Sequence, residues 1–190
     1  MDYKSSIEEA IHSLGYLRLE ALPAIIKAIE SAPNAHPRDR ARFFRKQGNQ
    51  LSADEKRALG LRANTLFSRE AFDCLTERGR DKPIEAIENT FLRAVFTDMR
   101  EGSIRAAEQE LHRFGDSLEI RVSAPIAECP GCQQLDNKPI TPEQARTILP
   151  PDNCIREACP ITLQTTMDWI EYGKAQEVPK KGFFRRLFGG

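Results

Sequence analysis

The run Pro83–Val122, PIEAIENTFLRAVFTDMREGSIRAAEQELHRFGDSLEIRV, settles how the rest of the chain is divided. Ile84, Ile87, Phe91, Leu92, Val95, Phe96 and Met99 keep the strongest helical period in the sequence. Asp81 is placed to cap that helix, and Pro83 suits its first turn. Beyond Gly102, the spacing of Ile104, Ala107, Leu111 and Phe114 predicts continuation or a short break. At residue 116 the period changes. Leu118, Ile120 and Val122 now alternate with Glu119 and Arg121, the pattern of a half-buried strand.

Upstream of this run, every strong pattern is helical. Ile7, Ile11 and Leu14 form one stripe, ended by Gly15, and Leu22, Ile25, Ile26 and Ile29 form another, stopped near Pro33. A loop carries His36, and a short basic helix is expected from Arg38 to Lys46. Ser52-Ala-Asp-Glu55 reads as a capping box. Behind it, Leu59, Ala63, Leu66, Phe67, Cys74 and Leu75 read as one helical face reaching Gly79. Apolar stripes of this kind need one another for burial, so residues 1–115 are expected to form a helical bundle.

Downstream, Thr141-Pro-Glu-Gln144 opens a short helix that runs to about Leu149 and stops at Pro150-Pro151. Ile161-Thr-Leu163-Gln is a second alternating stretch, and the segment around Trp169 reads as helical. The expected fold is mainly α with a small α+β part. The bundle is followed by a four-cysteine zinc module with two short strands over residues 116–178, then a basic amphipathic tail over 179–190.

The chemistry lies in the cysteines. Four of the five fall between residues 129 and 159, as Cys129-Pro-Gly-Cys132 and Cys154-x4-Cys159, separated by 21 residues. Two residues between the first pair, with Pro-Gly in the turn, aim both sulfurs at one point. A second pair completes a tetrahedron suited to Zn²⁺. Four thiolates leave no open position for water, which makes such a site structural. A thioredoxin-like redox pair needs a βαβ setting that Cys129 lacks. A zinc deaminase needs a His-x-Glu that occurs nowhere in the chain. Four unligated core thiols are the plain alternative, and clustering at ligand spacing argues against it. Cys74, on an apolar face, reads as a buried free thiol.

From Leu118 to Leu163 the sequence also resembles the cysteine segment of phage head-morphogenesis (minor head) proteins. The matching residues are Cys129, Cys132, Leu135-Asp136, Lys138, Leu149-Pro150-Pro151, Cys154 and Cys159. It departs from that family in Asp152-Asn153, where His-Pro-Asn is usual, and in having four residues rather than one between the second cysteines. The resemblance implies a metal site and, beyond it, a role in head assembly.

Net charge is zero, with 28 basic and 28 acidic side chains, but it is unevenly spread. Residues 36–62 carry +5, residues 116–172 carry −5 and residues 173–190 carry +4. A binder of nucleic acid over its whole surface is normally basic overall, so any such contact is local. Arg38, Arg42, Arg45 and Lys46, beside Phe43 and Phe44, are candidates for a phosphate or acidic partner. Their plainer reading is a solvated helix face whose phenylalanines enter the core. In the tail, Phe183, Phe184, Leu187 and Phe188 oppose Arg185 and Arg186, as in a segment that docks on a partner or a membrane surface.

No apolar run is long enough to span a bilayer, and the N-terminus lacks the pattern of a secretory signal. Clustered cysteines fit a reduced compartment, so a cytoplasmic location is expected. No Gly-x-Ser-x-Gly, His-Glu-x-x-His or phosphate-binding glycine loop occurs. The functional expectation is a zinc-binding, non-catalytic interaction protein with a protein partner. Nucleic-acid contact through residues 38–46, membrane contact through the tail and self-association are compatible with it. The alternatives are a head-assembly component and an enzyme with its pocket between bundle and zinc module.

Overall fold

The computed structural model describes residues 3–125 and 128–167. The helical expectation around Trp169 and the amphipathic tail, with Phe183, Phe184, Arg185, Arg186, Leu187 and Phe188, lie outside these residues. Within them the protein is mainly helical, with one two-stranded antiparallel sheet.

The bundle is built from α1 (Tyr3–Leu14) and α3 (Pro37–Lys46), which pack on the first half of a long helix, and α2 (Leu22–Glu30), which packs on α1 and α3. Three short helices, α4 (Ala53–Ala58), α5 (Arg69–Asp73) and α6 (Glu77–Arg80), close its remaining side. The long helix is α7 (Pro83–Phe114), which runs through Gly102 without a break. Ile7, Ile25, Ile29, Phe67, Leu75, Ile87 and Phe91 are fully buried in one continuous core. Met99, placed on the apolar stripe by its spacing, is half exposed instead.

The stretch from Ser52 to Gly79 corrects the sequence reading. Its capping box is real: Glu55 N–H donates to Ser52 Oγ at 3.3 Å, and Ser52 N–H donates back to Glu55 Oε2 at 2.8 Å. The helix nevertheless ends after two turns, where Gly60 adopts φ +67°. Two further hydroxyl caps then start new helices. Ser68 accepts from Ala71 N–H at the start of α5, and Thr76 accepts from Gly79 N–H at the start of α6. Phe67 and Leu75 still reach the core, but from the connections before and after α5 rather than from one helical face. The cap expected at Asp81 also shifts, since Lys82 is the N-cap of α7 and makes no side-chain cap bond. Gly79 is required for close approach, because a Cβ there would lie 2.2 Å from the Tyr16 carbonyl oxygen.

The second half of α7 carries a second core. Ile104 and Ala107 lie under β1 (Leu118–Ser123), together with β2 (Thr162–Met167), α8 (Pro130–Leu135) and α9 (Pro142–Ile148). The expected strands pair antiparallel, from Leu118 opposite Met167 to Ser123 opposite Thr162. On the other edge of β1, Val122 N–H donates to Lys138 at 3.0 Å and Ile140 N–H to Ile120 at 3.0 Å. Asp136 fastens this return by accepting from Ala124 N–H at 2.8 Å. Ser103 ties β2 to α7, accepting from Leu163 N–H at 3.2 Å. Thr141 and Gln144 form the second expected capping box, at the start of α9. No helix among the described residues is long and apolar enough to cross a membrane.

Candidate metal centre

Strand register brings the two cysteine pairs together. The chain leaves the sheet after Ser123 toward Cys129, and it re-enters from Cys159 at Thr162, directly opposite. Both pairs therefore lie beyond the same end of the sheet.

The first pair sits at a helix start rather than in a free turn. Cys129 is the N-cap of α8, Pro130 occupies its first position and Gln133 N–H bonds the Cys129 carbonyl at 2.9 Å. One turn of helix thus places the Cys132 sulfur beside that of Cys129. Gly131 between them makes room for the second loop. A Cβ on it would lie 2.1 Å from Asn153 Oδ1 and 3.1 Å from the Asn153 carbonyl. Cys154 is held by a turn in which its N–H donates to Pro151 at 2.9 Å.

The sulfurs of Cys129, Cys132 and Cys154 all lie within 4.8 Å of one another, a group that can hold a metal ion. Cys154 is 3.7 Å from Cys129 and 3.6 Å from Cys132. Cys159, outside that mutual set, meets it through Cys132 at 3.5 Å. All four are free thiols, and Cys129, Cys132 and Cys159 are buried. None of these separations approaches the ~2 Å of a disulfide.

The environment favours one thiolate first. The Cys132 thiol, the Cys132 N–H and the Ile155 N–H all donate to Cys129 and hold its thiol down at about 7. Burial pushes the Cys132 and Cys154 thiols up, and hydrogen bonding to neighbouring sulfurs pushes Cys132 further. Ionising all of them together requires a cation among them. Arg100 of α7 adds a positive charge from the bundle side. It is 8% exposed, burial lowers its pKa, and its strongest opposing influence is the charge of Cys159.

The sequence candidates on α3 have different surroundings. Arg38 lines a cleft described below, Arg42 pairs with Asp39 at 3.8 Å and Lys46 is exposed. Arg45 is buried, with Nη2 3.2 Å from Glu88 Oε1. Phe44 enters the bundle core against Phe91, at 5.5 Å between ring centroids, while Phe43 is partly exposed. Cys74 is half-buried and its thiol is raised by burial.

Sequence reasoning missed Arg100, Asn153 and Glu157 at this centre. It expected Gly131 for the turn, not for contact with Asn153. Glu157 lies between the second pair of cysteines yet bonds the bundle, and it helps wall a cleft of about 1000 Å³ between the two cores. Arg38, Arg78, Lys82 and Arg156 line that cleft against Asp81, Glu85, Glu128 and Glu157. Lys82 pairs with Glu85 at 3.3 Å and Arg156 with Glu128 at 2.7 Å, so its charge is balanced. His112 lies elsewhere, exposed on the last turn of α7.

Fold and site together define a mainly helical protein with a buried cysteine cluster able to hold a metal ion. Comparison with known proteins adds no closer definition: no family model, curated protein or solved structure matches the chain. The resemblance to head-morphogenesis proteins therefore rests on the residues of 118–163 alone.

Proposed function

We propose that this protein binds one structural Zn²⁺ through Cys129, Cys132, Cys154 and Cys159, and acts as a non-catalytic interaction protein. The sulfur separations of 3.5–3.7 Å carry this reading. Four sulfurs about 2.3 Å from a central Zn²⁺ lie about 3.8 Å apart along the tetrahedron's edges. Cys129, Cys132 and Cys154 supply three of the ligands, and Cys159, 3.5 Å from Cys132, would supply the fourth.

Zinc would add to the sheet a further cross-link between the module's two cysteine loops. The four thiolates are its complete coordination shell, so the ion holds the fold and activates no water. A cytoplasmic location suits four thiols kept reduced. The functional output is then a surface, with a protein partner favoured by the acidic module and the basic segments that flank it.

The cleft between the cores supports a second reading, as an enzyme pocket, because it lies between bundle and module. It does not include His112, and four of its charged groups pair with one another, which favours the interaction reading. A head-assembly role remains the proposal that the cysteine-segment resemblance carries.

Native mass spectrometry of protein purified without chelator tests the metal assignment. The expected result is one zinc per chain, lost in Cys132→Ser and retained in Cys74→Ser. A metal-free wild-type chain would contradict it.

A further inference from the structure

Glu157 stands between two of the proposed metal ligands, yet its bonds lead away from the metal. Its carboxylate accepts from the Tyr16 hydroxyl and, at 2.6 Å, from Asn89 Nδ2 on α7. Its main-chain oxygen accepts from Arg93 Nη1 at 2.9 Å. The same guanidinium reaches Glu9 of α1 at 2.7 Å, so one network joins the cysteine loop to both principal helices of the bundle. Tyr16 is itself fixed: Arg78 lies 4.8 Å over its ring, and its carbonyl accepts from Thr76 N–H at 3.0 Å.

A carboxylate in this position is placed only when the four-residue loop is placed. Cys154 and Cys159 define the loop's ends, and a metal between their sulfurs fixes the distance between those ends. Arg156, Glu157, Ala158 and Pro160, from this loop and just past it, also form part of one wall of the cleft. The opposite wall, with Ala86, Asn89, Leu92 and Phe96, belongs to α7.

We propose that Glu157 is a latch that couples metal occupancy of the cysteine centre to the bundle and thereby holds this wall of the cleft in place. The inference rests on the zinc reading and adds a regulatory consequence to it. With metal bound, the loop presents Glu157 to Tyr16, Asn89 and Arg93. When the metal leaves, the loop loses its fixed ends, the three contacts weaken together and the cleft wall swings free. Coupling between two sites is reciprocal, so the bundle contacts also strengthen metal binding.

The test uses the full chain as wild type, Glu157→Ala and Tyr16→Phe, the last removing one donor without disturbing the loop. Zinc affinity is measured by competition with a chromophoric chelator. Hydrogen exchange over residues 14–18 and 82–90 is compared with and without zinc. The latch predicts zinc affinity about tenfold weaker in Glu157→Ala, within the usual range of coupling between sites, and a smaller loss in Tyr16→Phe. It also predicts that zinc slows exchange at both bundle segments in wild type and much less in Glu157→Ala. Stoichiometric zinc in all three proteins, with equal affinities and equal protection, overturns the latch and leaves the zinc reading standing. A wild-type chain that takes up no zinc overturns the metal reading, and the latch with it.

Discussion

The two cores of this protein differ in what fills them. The bundle core gathers Ile7, Ile25, Ile29, Phe67, Leu75, Ile87 and Phe91, all fully buried and drawn from residues 7–91. The module core is smaller. Cys129, Cys132 and Cys159 hold positions that Leu or Ile would fill in an ordinary core, alongside Val122, Ile161 and Ile104. Helices with long apolar stripes bury enough surface to hold themselves together. A short sheet with two one-turn or two-turn helices does not, and small units of this kind depend on a cross-link. On the proposed zinc reading, the contrast teaches that one helix, α7, serves two stabilisation strategies along its length.

The sharpest way to break the comparison is to remove the cross-link. Cys132→Ser should abolish zinc binding and unfold the module over residues 118–167, since metal binding is folding energy in such units. The bundle should keep its helical signal, and Cys74→Ser should do neither. Circular dichroism with zinc titration reads both. Loss of the entire helical signal in Cys132→Ser would show that the cores do not differ in this way.

Truncating the bundle core tests the other side. Phe91→Ala removes a fully buried ring packed on Phe44 and should cost about 3–5 kcal/mol. Zinc stoichiometry should be unchanged. Denaturant melts and elemental analysis on one preparation decide it, and a lost metal would mean that the cores are not separable.

Gly131→Ala probes the join within the module. The added Cβ meets both the side chain and the carbonyl of Asn153, and such overpacking costs about 1–3 kcal/mol. Weaker zinc binding with an unchanged bundle is expected, measured by chelator competition. Equal affinity would mean that the second loop shifts freely against the first.

The smallest effect concerns acid. Hydrogen bonding from the Ser52 main chain, then from Arg69 and the Ser52 hydroxyl, holds the Glu55 carboxyl down at about 2. A depressed carboxyl contributes stability above its ordinary value near 4.5, and that contribution fades as pH falls toward 2. Glu55→Gln should therefore lower the wild type's stability at pH 7 and converge with it near pH 2. Ser52→Ala should cost about 1 kcal/mol at neutral pH. Thermal melts across that range report both, and an unchanged pH slope would remove the capping box from the account.

Much of this arrangement was legible because it depends on neighbours in sequence. The capping box at Thr141, the period of α7 and the alternation of β1 are local patterns, and each produced the element it announced, while the box at Ser52 started its helix but not one that reaches Gly79. The cysteine spacing likewise placed three sulfurs together. What stayed hidden depends on distance along the chain. Phe67 and Leu75 fit one stripe on paper but sit on either side of the short helix α5, because Gly60 ends α4 and the Ser68 and Thr76 caps start α5 and α6 as new helices. Arg45 looked like part of a solvated basic face, and only the packing of α3 on α7 brings Glu88 to it. Glu157 and Arg100 gave no signal at all, since the bonds of Glu157 to the bundle and the approach of Arg100 to Cys159 each span 59 or more residues.

The central claim is a metal that substitutes for apolar bulk in the second core, and its most direct test is X-ray absorption at the zinc edge. Protein purified without chelator should contain one zinc per chain with four sulfur neighbours at about 2.3 Å. Absence of stoichiometric zinc, or a first shell containing nitrogen or oxygen, would contradict it.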